Sequence, residues 1–113
     1  MRPFRFRRRR RGPPGSHVHD VVRLHGDLDA RNAEATGRRL VRFVDAGPQV
    51  LEIDLANVRY LSPDGCAALF TALRAARARG TRLVLTHANE RVRAVLQQIG
   101  LLRALSEGGR STG

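Results

Sequence analysis

Apolar residues recur along this chain in two alternating rhythms. Over Val18–His25 (VHDVVRLH), Val18, Val22 and Leu24 share one face at the two-residue period of a strand, and Val21 adds an apolar position on the other. Gly26-Asp27 reads as a turn, and Asp29 as a helix cap whose carboxylate accepts hydrogen bonds from early backbone N–H groups. Ala33, Gly37, Leu40 and Val44 form a stripe at helical spacing that stops at Gly47-Pro48. A second strand follows at Val50–Leu55, where Leu51, Ile53 and Leu55 alternate with polar residues. Gly65–Arg79 reads as a helix with Cys66, Leu69, Phe70, Leu73 and Ala76 on one face, closed by Gly80. Arg82–Thr86 is a third, apolar strand. Asn89 is placed to cap a last helix carrying Val92, Val95, Leu96 and Ile99, which ends at Gly100 with Leu101-Leu102 folding back.

Strands separated by helices need crossover connections, which make neighbouring strands parallel. The expected fold class is α/β: a small mixed, largely parallel sheet with flanking helices mostly on one face. A chain of 113 residues suits a single domain.

Composition changes this picture at one place. All 21 basic residues are Arg and ten acids oppose them, so the net charge is +11. Seven of the Arg lie in Met1–Arg11, and residues 12–113 carry only +4. The basic signal therefore belongs to a tail, residues 1–16, whose Arg run is followed by Gly12-Pro13-Pro14-Gly15. It reads as a solvated or spurious extension, or as an electrostatic arm for nucleic acid or an anionic surface. Phe4 and Phe6, alternating with Arg5 and Arg7, also allow a short edge strand. The folded domain is expected over 17–107, with a frayed polar end at 108–113. The tail lacks the apolar core of a secretory signal. The longest stretches without charge, Gly65–Leu73 and Ala94–Leu102, run nine residues, well short of the ~20 that a membrane helix needs.

Candidate chemistry is sparse. His17 and His19 share a strand face, but no acid or thiol completes a metal set at ligand spacing. The lone Cys66 reads as a small apolar residue facing the sheet, with an activated thiol at a helix start as the sharper alternative. Asp27 and Asp29 are explained by a turn and a cap, and no glycine loop suited to phosphate appears. An enzyme is not expected, nor a cofactor or a metal.

The most informative stretch joins the second strand to its helix, Leu55 through Gly65. In parallel sheets, functional loops lie at the carboxyl ends of strands. Here Ser62, Pro63 and Asp64 stand just ahead of a helix N-terminus, where negative charge is stabilised. Asp64 reads most simply as an N-cap.

Three ordered segments resemble the STAS domain of bacterial anti-sigma factor antagonists. Gly26-Asp27-Leu28-Asp29 is similar to the family's G-E-L-D turn. Val50–Leu55 with Val58 and Tyr60-Leu61 is similar to its central strand and loop. Gly65 with Ala68-Leu69, and Arg91-Val92-Arg93 through Gly100-Leu101, resemble its second helix and late V-R…G-L segment. The match spans roughly residues 18–105. The family's loop reads D-S-S-G or D-S-T-G, with the phosphorylated hydroxyl just before Gly. Here the tetrad is Ser62-Pro63-Asp64-Gly65, so Asp64 stands at the phosphoacceptor position and Ser62 at the position of the family's Asp.

The resemblance implies a cytoplasmic bacterial protein that regulates transcription by sequestering an anti-sigma factor with a GHKL-type ATPase fold. The implied contact surface is the Ser62–Gly65 loop with Asp27 and with Ala67, Thr71 and Arg74 on the following helix. Three readings of Asp64 follow, in this order: binding freed from kinase control, constitutive mimicry of phosphoserine, or a switch moved to Ser62. A carboxylate carries one negative charge against roughly 1.5 to 2 for the phosphoserine, so mimicry is partial. The alternatives are a STAS subunit of a transporter or sensory complex, and nucleic-acid or anionic-surface binding through the Arg tail.

Overall fold

The strand rhythm puts aliphatic residues on one side of the central strands, and that side is where the helices pack. In the computed structural model, residues 5–11, 19–101, 105–107 and 110–111 are described, with side-chain detail between 19 and 101. The elements are β1 (Arg5–Arg11), β2 (His19–Leu28), α1 (Ala33–Asp45), β3 (Val50–Leu61), α2 (Cys66–Arg79), β4 (Arg82–Thr86), α3 (Glu90–Gln98), β5 (Leu105–Glu107) and β6 (Arg110–Ser111). They form one sheet in sequence order. Strands β2 to β5 are parallel, whereas β1 and β6 pair antiparallel at the two edges. The mixed, largely parallel α/β class is therefore observed.

Each parallel strand pairs with the next one in sequence, so all three crossovers step in the same direction. Right-handed crossovers then place all three helices on one face. Burial follows: Val22, Leu24, Leu51, Ile53, Leu55 and Leu85 join Leu40, Leu69 and Leu96 from the helices in one core. Where α1 meets α2, Gly37 lies so close that an added Cβ would stand 3.4 Å from Ala68 and Thr71. Gly80 ends α2 in the left-handed region at φ 72, and Thr81 N–H returns to Ala76 O. Asn89 caps α3 by accepting from Val92 N–H at 2.8 Å. After Gly100, Leu101 folds back, its N–H on Leu96 O and its side chain buried.

Several expectations are corrected. Gly26-Asp27 is not a turn, because β2 runs through it to Leu28. Strand β3 likewise continues from Leu55 to Leu61, so the loop shrinks to four residues. The register shows why. Between Arg23 and His25, and again between Gly26 and Asp27, β3 advances one residue more than β2. Each extra residue is a bulge, and the buried positions become Leu55, Val58 and Leu61, three apart instead of two. Asp29 organises the turn before α1: its carboxylate accepts from Arg31, while Asn32 occupies the cap position. The hydrogen bond from the Arg31 guanidinium holds the Asp29 carboxyl below its ordinary value. Phe70, placed on the buried face by spacing, is 37% exposed, and Ala68 and Ala72 take the inward positions. His17, Val18 and Leu102 lie outside the described residues, as do the whole Gly/Pro-rich stretch and much of 108–113.

Candidate functional site

The Ser62–Gly65 connection sits at the carboxyl ends of β2 and β3. Ser62 N–H donates to Leu28 O at 3.0 Å, fastening the start of the connection to the end of β2. Three residues on, the chain approaches the same carbonyl so closely that a Cβ on Gly65 would lie 2.2 Å from Leu28 O. Gly65 has ordinary helical angles, φ −62 and ψ −27, so it is the lack of a side chain that matters here. Ser62 Oγ accepts from Gly65 N–H at 2.9 Å. Helical turning begins there, since Cys66 N–H reaches both Ser62 O and Pro63 O. Ser62 thus caps this turn, Pro63 occupies a first-turn position that proline favours, and Asp64 is exposed beside the helix N-terminus. Asp64 is not the cap it was expected to be: Gly65 holds the N-cap position of α2, and Ser62 closes the turn that leads into it.

Around this connection the structure gathers most of the residues singled out above. Asp27 is paired in register with Tyr60, one row before Leu28 and Leu61, and its carboxylate lies 3.8 Å from Arg59 Nε. Ala67, Phe70 and Arg74 are exposed on α2, whereas Thr71 is half-buried against Gly37 of α1. Two large apolar side chains, Phe70 and Tyr60, are exposed, Tyr60 by 54%. Cys66 begins α2 but its side chain is fully buried, and desolvation pushes its thiol up to about 11. That is the environment of a packing residue, since a nucleophile needs thiolate at neutral pH.

A second polar group lies on the helix-free face. Glu52 and Asp54 alternate with the core residues of β3 and are 8% and 5% exposed. His19 Nε2 is 3.1 Å from Glu52 Oε1, and the Thr86 hydroxyl donates to Glu52 Oε2 at 2.8 Å. Arg23 Nε donates to Asp54 Oδ2, while Ala56 N–H and His87 Nδ1 approach Asp54 Oδ1. His87 reaches Asp54 from a left-handed backbone, φ 61. These two carboxylates bridge β2 and β4 across β3, and only strand register brings their partners within reach. The signal in sequence was the pair of acids at alternate positions, Glu52 and Asp54, within Val50–Leu55. Among the described residues, no group of three or more His, Cys, Asp or Glu is placed to hold a metal ion. Nor is any helix among them long and apolar enough to cross a membrane.

Comparison with known proteins matches this arrangement. The family described as "Mlab, STAS domain" matches residues 14–106. The unphosphorylated form of the anti-sigma factor antagonist SpoIIAA, a Bacillus protein, superposes with a TM-score of 0.73 at 18% identity, covering 94% of this chain and 88% of that one. An anti-sigma factor antagonist from Mycobacterium paratuberculosis gives 0.75 at 18% identity, covering 93% and 85%. A sulfate transporter family protein from Wolinella succinogenes gives 0.66 at 22% identity, covering 86% and 76%. With its parallel sheet, one-sided helices and Ser62–Gly65 connection ahead of α2, this chain belongs to the STAS domain family.

Proposed function

We propose that this chain is a non-enzymatic binding module of the anti-sigma factor antagonist kind. Its partner is an anti-sigma factor with a GHKL-type ATPase fold, and its action is competition by mass action in the cytoplasm: a partner held here does not hold its sigma factor. The observation that carries this reading is the Ser62–Gly65 connection, anchored to Leu28 and continuous with the exposed Ala67, Phe70 and Arg74 of α2. Asp27 and Arg59 border it on the strand side, and Thr71 contributes from its half-buried position.

Asp64 puts a fixed carboxylate at the family's phosphoacceptor position, where no Ser/Thr kinase adds phosphate. Binding is therefore constant instead of being switched off by phosphorylation. Ser62 is engaged as a cap, which argues against a switch moved to its hydroxyl. The test is a paired capture from source-cell lysate with wild type and Asp64→Ser as baits. Equal recovery of a GHKL-type ATPase supports constant binding. Recovery by Asp64→Ser alone makes Asp64 a built-in off state, and recovery by neither removes the antagonist reading.

A second reading, a STAS subunit of a transporter or sensory complex, is favoured by the similarity to a sulfate transporter family protein and to the STAS domain of a SulP transporter. Capture of membrane-transport components by both baits would select it.

A further inference from the structure

We propose that β1 is a binding edge for single-stranded nucleic acid, a property independent of the antagonist reading. β1 is the terminal strand of the sheet order, and six of its seven residues are Arg. In the antiparallel register Arg5, Arg7, Arg9 and Arg11 stand opposite His25, Arg23, Val21 and His19. Phe6, Arg8 and Arg10 stand opposite Leu24, Val22 and Asp20. Of the six arginine positions, only Arg10 faces an acid across the pair. Arg7 is opposite Arg23, whose guanidinium is already engaged by Asp54. Six arginines in a seven-residue edge strand place a dense line of positive charge there, which favours an anionic partner.

Geometry selects the class of anion. A strand advances ~3.4 Å per residue, so positions on one face of β1 recur every ~7 Å in a straight row. Such a row of cations suits a ligand whose negative charges also repeat along a line, as in a phosphodiester chain. The pleat assigns positions 5, 7, 9 and 11 to one face of the sheet and 6, 8 and 10 to the other. Cationic positions thus border the edge on both sides. A flat membrane surface meets one side of such an edge, whereas a flexible single strand running along it meets both. The cations are Arg throughout, with no Lys in the chain, and the guanidinium fork suits paired bonds to phosphate oxygens.

The experiment is an anisotropy titration of the full chain with a labelled oligothymidylate, repeated across salt concentrations. If four phosphates are engaged, affinity falls roughly 50-fold between ~50 and ~200 mM salt, following the slope for single strands. Arg7→Ala/Arg9→Ala/Arg11→Ala and, separately, Arg8→Ala/Arg10→Ala weaken binding by about tenfold or more and flatten that slope, with circular dichroism unchanged. No binding at low salt, salt-insensitive binding, or unaltered affinity in both variants overturns the proposal. So does binding to phosphatidylserine vesicles that oligothymidylate fails to compete away. Should a variant lose its fold, the salt slope of the wild-type chain still decides.

Discussion

The Ser62 hydroxyl accepts the Gly65 backbone N–H at 2.9 Å, so the two ends of the connection between β3 and α2 are bonded to each other. This bond closes the turn into α2, where Asp64 was expected to act, and Asp64 is left exposed. The serine that opens this connection therefore has a structural task of its own.

Ser62→Ala removes the cap and is expected to cost about 1 kcal/mol, the usual loss for a Ser N-cap. Ser62→Asp, which retains an acceptor, should cost less. Urea denaturation of the three proteins checks the order.

Gly65→Ala should be far more damaging than its one methyl suggests. The new Cβ would meet the Leu28 carbonyl at 2.2 Å, and both partners are backbone. Forced overpacking of this kind costs about 1–3 kcal/mol or more. Gly80→Ala is the control: nothing lies within 4 Å of its Cβ, and only the left-handed backbone resists. About 1–2 kcal/mol is expected there. Equal stability of Gly65→Ala and wild type in thermal melts would refute the close approach.

Cys66 predicts a pH dependence. Burial raises its folded-state value to about 11 from an ordinary 9.0, so the unfolded chain releases its proton first. Above the ordinary value the native state holds more protons, and stability falls as pH rises. The Cys66 contribution is present below pH 9.0 and is lost as pH climbs towards about 11. Unfolding free energies of wild type and Cys66→Ala across this window test it. The substitution should flatten the slope, whatever its cost at neutral pH.

Arg74→Glu reverses a charge on the exposed side of α2 and touches no core position. It should weaken capture of the GHKL-type partner roughly tenfold, ~1.4 kcal/mol, without altering the melting transition. A titration with the purified partner that shows unchanged affinity would remove Arg74 from the interface.

Most of the fold was legible because its signals are local. Leu51, Ile53 and Leu55 alternate within a regular strand, Gly80 and Gly100 stop helices, and Asn89 caps α3 through its own neighbour Val92. β5 and β6 escaped notice because three and two residues are too short to show a period. The far half of β3 escaped for a different reason, since its two bulges break the alternation on which strand recognition rests. The connection between β3 and α2 lies where the sequence reading expected a functional loop, but the hydrogen bond expected of Asp64 is made by Ser62. Nothing local distinguishes Ser62 from Asp64 as the cap, and the choice follows from where Leu28 holds the chain.

The order of residues alone carried the succession of strands and helices, the one-sided core and the family resemblance, because periodicity and punctuation act over a few residues. Contacts between distant residues were settled by the folded chain. Pairing β2, β3 and β4 in a bulged parallel register sets Arg23 and His87 on the same carboxylate, Asp54, and brings Leu28 against both Ser62 and Gly65. Each of these contacts spans some thirty residues or more, and it exists only once the register is fixed.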